Sequence, residues 1–332
     1  ELKAWEVTPP FSAFVNQSRV SLLEDLVTLV EPGANKVFTA SGREIQYSHL
    51  VVATGSIQKD FGVPGVREFA LQFQSKDDVD LLRGRLEDCN ASKDSPRNFV
   101  IIGAGATGVE LACKLADLVA AHVDVHLIEL GDKVLPHGKS FNQEQAAKAL
   151  SDRHVRVHLQ TRVVAINEEQ VELEPSRHAE GKSFFLNHHC LVWAAGTKPV
   201  FPEIVSGFAF KGAPLPINDC LQVDGLNNVF ALGDAALNEE HLWPATAQVA
   251  IQQGEAAAKN LIALRSGHDP QPFQFLDLGE MLSLGVGNAT LTSLGLNLSG
   301  ALAFQLRRMT YLTKFPAVSL ALRSAGAWMF EP

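Results

Sequence analysis

The stretch FVIIGAGATGVELACKLADL, residues 99–118, constrains the fold of this chain more than any other segment. Its opening apolar run is typical of a buried parallel strand. Gly103, Gly105 and Gly108 follow in the spacing G-x-G-x-x-G. This spacing permits a tight turn, the close approach of a pyrophosphate to the backbone, and close packing of a helix on the strand. Apolar residues then recur at helical spacing from Val109 to Val119, so free amides at the start of a helix would face the phosphates.

The segment after this helix completes the pattern of a dinucleotide site. VDVHLIE predicts a second strand that ends in Glu129, about twenty residues beyond the third glycine. A carboxylate there can accept hydrogen bonds from a ribose diol, and it would repel a ribose 2′-phosphate. The sequence therefore predicts a site for NADH rather than NADPH, which also includes Ala106 and Thr107 of the glycine turn. A βαβ turn whose glycines serve packing alone is the alternative.

Composition excludes several classes of function. The net charge of −9 argues against a general nucleic-acid binder, because phosphate neutralisation requires an excess of basic residues. The four cysteines lie far apart with neither C-x-x-C nor metal-ligand spacing, so we expect no dithiol redox centre and no metal site. No run of eighteen apolar residues is present, so we expect no membrane-spanning helix. A chain of 332 residues can form about two domains.

Two segments share a pattern that indicates an internal repeat. QYSHLVVATGS (46–56) and NHHCLVWAAGT (187–197) each run from a polar lead-in through Leu-Val to small residues that close on glycine. The first copy ends in Ala53, Thr54 and Gly55, and the second ends at Gly196. At such strand ends the backbone can lie against a nucleotide, because no bulky side chain intervenes. The turn-punctuated stretch ahead of each copy predicts small antiparallel hairpins. Coincidence between two buried strands is the alternative.

The repeat predicts two nucleotide-binding domains, of which the second, roughly residues 60–197, carries the complete fingerprint. Residues 1–20 contain no glycine. We therefore expect the opening glycine turn of the first domain to lie upstream of Glu1. NNVFALGDAA (227–236) predicts a further apolar strand that ends in Gly233 and Asp234. An aspartate at this point can hold a hydroxylated chain such as the ribitol of a flavin.

GAGATGVE, the ATGS and AAGTKP strand ends and VFALGDAA together resemble the flavoprotein reductases with two dinucleotide-binding domains. The resemblance covers nearly the whole chain in the same motif order. It implies an α/β fold with two Rossmann-like domains, the FAD domain lacking its N-terminal part, plus a C-terminal amphipathic helical region. The implied segments are a remainder of the first FAD-binding segment (1–58), an NAD-binding domain (59–198), a second FAD-binding segment (199–266) and a C-terminal membrane-associating region (267–332).

The same resemblance implies where the two cofactors bind. FAD would contact Gly233, Asp234 and the Ala53–Gly55 strand end. The nicotinamide of NAD(H) would lie against the flavin near Glu110 and Gly196.

PATAQVAIQQGEAAAKNL, residues 244–261, is similar to a segment of the type II NADH:quinone oxidoreductases. In that family it lies under the isoalloxazine ring and borders the quinone tunnel. Gln248 and Gln252 are four residues apart and share one face of a helix. The resemblance implies that their neutral amides bond flavin carbonyls and a quinone oxygen, with Ala247 beside the cofactor. An amphipathic helix with solvent-facing glutamines is the alternative.

The C-terminal region resembles the cyanobacterial and plastid branch of these enzymes, the demethylphylloquinone reductase-like proteins. Residues 281–330 contain four basic residues and no Asp or Glu, among many aromatic and apolar side chains. A basic amphipathic helix pair, separated at Pro316, suits the surface of an anionic membrane. A dimer interface or a domain-packing helix is the alternative, and both could hold together.

The resemblance thus implies a non-proton-pumping oxidoreductase that transfers two electrons from NADH to a quinone. It would be a peripheral membrane protein of a plastid or thylakoid, a mitochondrion or the inner face of a bacterium, and a homodimer is compatible with it. Glu110, expected in the first helical turn, is our candidate proton relay. Its alternative role is a carboxylate favoured by the helix dipole. Two alternatives remain open: a soluble reductase of an electron-carrier protein, and a non-catalytic, membrane-associated module that binds NADH.

Overall fold

The computed structural model describes residues 4–11, 15, 19–91, 97–176, 181–205, 213–315 and 317–330. The strands in this part of the chain are short, none of them longer than six residues. They are β1 (Val27–Glu31), β2 (Lys36–Thr39), β3 (Glu44–Gln46), β4 (Leu50–Val52), β5 (Ser56–Gln58), β6 (Leu71–Gln72), β7 (Arg97–Ile102), β8 (Val123–Ile128), β9 (Arg156–His158), β10 (Thr161–Ile166), β11 (Gln170–Pro175), β12 (Phe184–Asn187), β13 (Cys190–Trp193), β14 (Thr197–Pro199), β15 (Glu203–Ile204), β16 (Leu215–Pro216), β17 (Val229–Ala231), β18 (Ala236–Leu237), β19 (Glu280–Ser283), β20 (Ala289–Ser293) and β21 (Leu296–Gly300).

The helices range from a single turn to nearly twenty residues. They are α1 (Ala4–Val7), α2 (Val66–Phe69), α3 (Lys76–Ala91), α4 (Ala106–Leu118), α5 (Ser140–Asp152), α6 (Ala247–Arg265), α7 (Ala301–Leu312) and α8 (Val318–Phe330). Short 3-10 turns occur at Pro32–Ala34 and Gly233–Ala235. Among the described helices, none is both long and apolar enough to cross a bilayer.

The chain divides into two compact units. The first unit comprises Glu1–Leu22, Asp60–Gly196 and Leu278–Pro332, and the second comprises Leu23–Lys59 and Thr197–Asp277. The C-terminal segment from Leu278 therefore packs with the part of the chain that carries the glycine turn. The functional division at residues 58, 198 and 266 stays a prediction.

A five-stranded parallel sheet with the order β6-β13-β7-β8-β9 is the centre of the first unit. Phe99 and Ile101 of β7 pack with Val109 of α4 on one face of this sheet. Val100 packs with Leu173 of the antiparallel sheet β10-β11-β12 on the other face. Because successive residues of a strand face opposite sides, cover on both faces explains why FVII is a continuous apolar run.

The second unit combines several small sheets. Strands β4 and β17 pair in parallel, with Val51 opposite Phe230, and β5 pairs with β14 in antiparallel fashion. Strands β1, β2 and β3 form an antiparallel set, which β15 joins at its edge. Each strand of the internal repeat is therefore preceded by a small antiparallel sheet. The predicted α/β fold and its antiparallel elements are confirmed.

The C-terminal segment differs from the sequence-based expectation over its first part. Residues 280–300 form the antiparallel sheet β19-β20-β21 instead of belonging to the expected helix pair. Threonines and leucines alternate there, a pattern typical of strands. The two helices follow as α7 and α8, and α7 packs on the sheet through Ala303 and Phe304. Pro316, expected to separate them, lies outside the described residues.

Candidate functional site

The three glycines of the turn after β7 play different structural parts. Gly103 has φ +102°, and a Cβ built there would lie 2.6 Å from the carbonyl oxygen of Ala194. A Cβ on Gly108 would lie 1.8 Å from the carbonyl oxygen of Gly103, so α4 packs directly on the turn. Gly105, the N-cap of α4, has no such neighbour within 4 Å. The backbone is therefore open at Gly105, where a ligand can approach it.

Glu129, directly after β8, is held beside this turn by two backbone amides. Its Oε2 accepts a hydrogen bond from Ala104 N at 2.7 Å, and its Oε1 accepts one from Gly131 N at 2.8 Å. These two bonds fix the position of the carboxylate. Gly196 follows β13, the neighbour of β7, and has φ +101° beside the Phe61 ring. Its contact with nicotinamide stays a prediction.

Glu110 lies further along α4 than we expected. The helix begins at Ala106, so Glu110 is its fifth residue and falls in the second turn, whereas the sequence placed it in the first. The effect of the helix dipole falls off within the first turn, so it does not explain a carboxylate at this position. Instead, Glu110 Oε1 accepts a hydrogen bond from Ser283 N at 2.7 Å and lies 3.6 Å from Arg307 Nη2. Glu110 therefore joins α4 to the C-terminal sheet and to α7.

The Gly-Asp turn of the second unit lies beside the Ala53–Gly55 strand end, because β17 pairs with β4. Leu232 N donates to Val52 O at 3.0 Å, and Ser56 Oγ donates to Asp234 Oδ2 at 2.6 Å. The Thr54 hydroxyl donates to the carbonyl of Val200. Two motifs separated by about 180 residues of sequence thus meet in one place.

A cavity of about 230 Å³ opens at this turn. Its wall includes Ser56, Gly233, Asp234, Trp243 and Gln253. It combines an acidic group, a hydroxyl, an amide and an aromatic ring, so it can hold a ligand with both hydroxyls and apolar surface.

Gln252 of α6 bonds the backbone of the segment that follows the helix. Gln252 Nε2 donates to Leu276 O at 2.9 Å, and Leu276 N donates to Gln252 Oε1 at 3.0 Å. The Gln252 amide therefore fixes the following loop, and the residue is not part of the cavity wall. Gln248 is half-buried, and Ala247 is exposed as the first residue of the helix. Cofactor and quinone contacts of all three stay predictions.

Gln253 is the residue that sequence reasoning missed. Its Oε1 accepts a hydrogen bond from Gly233 N at 2.7 Å, and its side chain is buried in the cavity wall. A signal was present, because Val249, Gln253, Ala257 and Asn260 form the buried stripe of α6 at helical spacing. A polar residue on a buried stripe requires a hydrogen-bonding partner.

The cysteines are consistent with inert structural thiols. Burial raises the pKa of Cys113 and of Cys190 to about 12, so both remain protonated at neutral pH. All four cysteines of the chain are free thiols.

An acidic group on the surface of the second unit could approach a cation. Asp219, Glu240 and His241 offer ligand atoms within 4.8 Å of one another. Asp219 Oδ1 already accepts from Asn238 Nδ2 at 3.0 Å and lies 3.4 Å from His241 Nδ1. Exposed acidic groups of this kind are common, and we assign no metal to this one.

Comparisons with known proteins agree on the family of this chain. Residues 10–254 match the model of the pyridine nucleotide-disulphide oxidoreductases. The chain is 32% identical to a demethylphylloquinone reductase of Synechocystis sp., over 100% of this chain and 83% of that protein. It is 30% identical to a type II NADH:quinone oxidoreductase of Staphylococcus aureus, over 84% of this chain and 74% of that protein.

Its fold is similar to that of NDH2 from Plasmodium falciparum, solved in complex with NADH. The TM-score is 0.80 at 15% sequence identity, over 90% of this chain and 81% of that one. These likenesses confirm the resemblance that the motifs carried. The chain belongs to the pyridine nucleotide-disulphide oxidoreductase family and, within it, to the type II NADH:quinone oxidoreductases.

Proposed function

We propose that this protein is an FAD-dependent enzyme that transfers two electrons from NADH to a membrane quinone without pumping protons. The observation that carries the proposal is the presence in one chain of two separate nucleotide turns. One is the Gly103–Gly108 turn of the first unit, and the other is the Gly233–Asp234 turn of the second. The names of the relatives, which are quinone reductases, support the same reaction.

The residues of the first unit fit NADH. The open backbone at Gly105 leaves room for a pyrophosphate at the N-terminus of α4, and the carboxylate of Glu129 is fixed beside it. This carboxylate accepts hydrogen bonds from two backbone amides, and its negative charge repels a ribose 2′-phosphate. We therefore infer that NADH is preferred over NADPH.

The residues of the second unit fit FAD. Asp234 and Ser56 offer polar groups to a hydroxylated chain, while Trp243 offers an apolar wall in the same cavity. The chemistry that FAD supplies when bound is the acceptance of a hydride and its onward delivery as two electrons. Over one cycle NADH, one further proton and the quinone give NAD⁺ and the quinol.

Glu110 is our candidate for the residue that holds a proton during quinone reduction. Its carboxylate connects the nucleotide-binding helix α4 with Arg307 of the C-terminal helix α7. The Ser283 amide and Arg307 hold this carboxylate in position. It is the only acid that we nominate.

We further infer that the C-terminal helices associate with a membrane surface. Leu302 and Met309 are seven residues apart on α7 and are both more than 60% exposed, as are Val318 and Leu322, four apart on α8. Arg308 stacks on the Trp328 ring at 4.7 Å from its centroid, so aromatic and cationic groups lie together there. The anionic surface of a plastid, mitochondrial or bacterial membrane would attract these cationic groups. The alternative is that a second copy of the chain covers the exposed apolar side chains of the two helices.

The proposal is tested by the visible spectrum of the full-length protein under anaerobic conditions. We expect a flavin band that NADH bleaches and that a short-chain naphthoquinone restores. A colourless protein, or a flavin band that NADH leaves unchanged, would contradict the proposed function. A band that bleaches but does not return with quinone would favour a reductase of another electron carrier.

A further inference from the structure

Gln253 is a buried polar side chain that the motifs of the family do not explain. Its side chain is 3% exposed, on the stripe of α6 that faces the core of the second unit. The adjacent Gln252 points away to the loop at Leu276, because neighbouring residues on a helix project about 100° apart. Two consecutive glutamines therefore serve two different parts of the second unit.

One end of the Gln253 amide is fixed by the Gly-Asp turn. Its Oε1 accepts the hydrogen bond from Gly233 N at 2.7 Å. A backbone N–H can only donate, so this bond determines that the carbonyl end of the amide faces the turn. Gly233 has φ +58°, and a Cβ built there would lie 3.2 Å from the Cβ of Ala250. The turn is thus held against α6 from one side and by Ser56 from the other.

The other end of the amide is a hydrogen-bond donor at the cavity. Within the described part of the chain, Gln253 Nε2 makes no hydrogen bond, and the side chain forms part of the wall of the 230 Å³ cavity. This nitrogen is not one of the fully enclosed polar atoms that lack a partner among the described residues, so it is accessible from the cavity. A small number of polar groups in the wall of such a cavity fixes the orientation of a bound ligand.

We propose that Gln253 binds the flavin nucleotide directly. Its Oε1 positions Gly233, and its Nε2 donates a hydrogen bond to an oxygen of the cofactor. FAD carries many such acceptors in its ribityl hydroxyls, phosphates and carbonyls. This inference rests on the proposed function, which supplies FAD as the ligand of the second unit. It assigns the cofactor contact of α6 to Gln253 in addition to the two glutamines that the family motif indicated.

The test uses the full-length protein and compares three variants by FAD affinity, flavin absorption and thermal stability. Gln253→Glu keeps an acceptor for Gly233 N and replaces the donor by an oxygen. Gln253→Met removes both polar atoms at similar shape. Asn260→Asp is the matched control: Asn260 is equally buried on α6, but its amide bonds the backbone of Cys220 and Gln271.

We expect both Gln253 variants to bind FAD about tenfold more weakly, as the loss of a buried hydrogen bond to a ligand predicts. The absorption band of any bound flavin should also shift. Asn260→Asp should lower the melting temperature while the dissociation constant of FAD stays within twofold of the wild-type value.

Wild-type affinity and an unchanged flavin spectrum in the two Gln253 variants would overturn the inference. Equal weakening in Asn260→Asp would overturn it too, because the effect would then arise from α6 as a whole. A wild-type protein that binds no FAD would instead overturn the proposed function, and the inference with it.

Discussion

At the level of single residues, the glycines of the turn after β7 differ in their surroundings. Gly105 and Gly108 belong to one motif, but a side chain at Gly105 meets open space and one at Gly108 meets the Gly103 carbonyl. The two positions therefore respond to the same substitution in different ways.

Gly105→Ala should leave the fold intact and weaken the binding of NADH. Its backbone is extended, with φ −69° and ψ −173°, which alanine adopts without strain. We expect an unchanged melting temperature and a dissociation constant for NADH at least about tenfold higher, since the added methyl group occupies the space of the pyrophosphate. Fluorescence titration with NADH measures the affinity.

Gly108→Ala is the control for this prediction. It should lower the free energy of unfolding by about 2–3 kcal/mol, because α4 must move away from the turn. Equal losses of stability in the two variants would contradict the separation of roles.

At the level of secondary-structure elements, two carboxylates of α4 accept hydrogen bonds from backbone amides of the segment that contains the sheet β19-β20-β21. Glu110 accepts from Ser283 N, and Asp117, two turns further along α4, accepts from Val286 N at 2.6 Å. Glu280 of β19 in turn accepts from Lys139 N at 3.0 Å, at the start of α5. Helix α4, which begins at the glycine turn, and α5 are therefore tied to the sheet that precedes α7 and α8.

Glu110→Gln should slow quinone reduction more than flavin reduction. The amide oxygen can still accept from Ser283 N, so the tie to β19 persists while the acid is lost. Stopped-flow measurement of each half-reaction gives the two rates. Asp117→Asn, which alters an equivalent tie to the same sheet, should slow neither. Equal slowing of both half-reactions by Glu110→Gln would refute the proton relay.

The strand pair β8-β9 contains two stacked histidines that make stability depend on pH. His126 is buried, its Nδ1 lies 3.0 Å from His158 Nε2, and burial lowers the pKa of His126 from 6.5 to about 4. Since the unfolded chain takes up a proton near pH 6.5 and the folded chain does not, stability is lost as the pH falls through this range.

Urea unfolding at pH 7.5 and at pH 5 measures this dependence. Protonation of His126 in the unfolded state should remove about 2 kcal/mol over the interval. In His126→Phe, which keeps a stacked ring that does not titrate, the loss should be smaller by this amount. Burial also lowers the pKa of His158, so His158 still contributes to the pH dependence of stability in the variant. Identical losses in the two proteins would contradict the prediction.

At the level of the whole molecule, charge is distributed unevenly along an acidic chain. The net charge is −9, yet all the charged residues between positions 281 and 330 are basic. Arg307 is largely buried and pairs with Glu110, whereas Arg323 is exposed and stacks on the Trp5 ring at 4.0 Å from its centroid. Apolar side chains supply much of the exposed surface of these helices.

Leu322→Asp should reduce binding to anionic phospholipid vesicles. The side chain is 69% exposed, and its insertion at the interface is worth about 1.5–3 kcal/mol, so the partition coefficient should fall about tenfold. Leu26→Asp is the matched control, since Leu26 is also 69% exposed but belongs to the second unit. Vesicle flotation distinguishes them. Equal binding of the two variants would favour a second copy of the chain as the partner of α8.

The sequence by itself determined the fold class and the position of the glycine turn that begins α4. The glycine spacing after a continuous apolar strand is specific, because its first and third glycines each meet a local steric requirement. Gly103 and Gly108 show this directly, since a Cβ at either would strike nearby backbone. Gly55 and Gly196 meet a different local requirement, because their φ angles of +67° and +101° lie in a region that favours glycine.

The tertiary structure alone decided which polar side chains serve which site. Gln252 and Gln253 are chemically identical neighbours, and only the rotation of α6 against its surroundings sends one to Leu276 and the other to Gly233. Likewise, Glu110 acquired its partners from Ser283 and Arg307, more than 170 residues away. Local spacing fixes a turn, whereas the partner of a long side chain depends on contacts between segments that are distant in sequence.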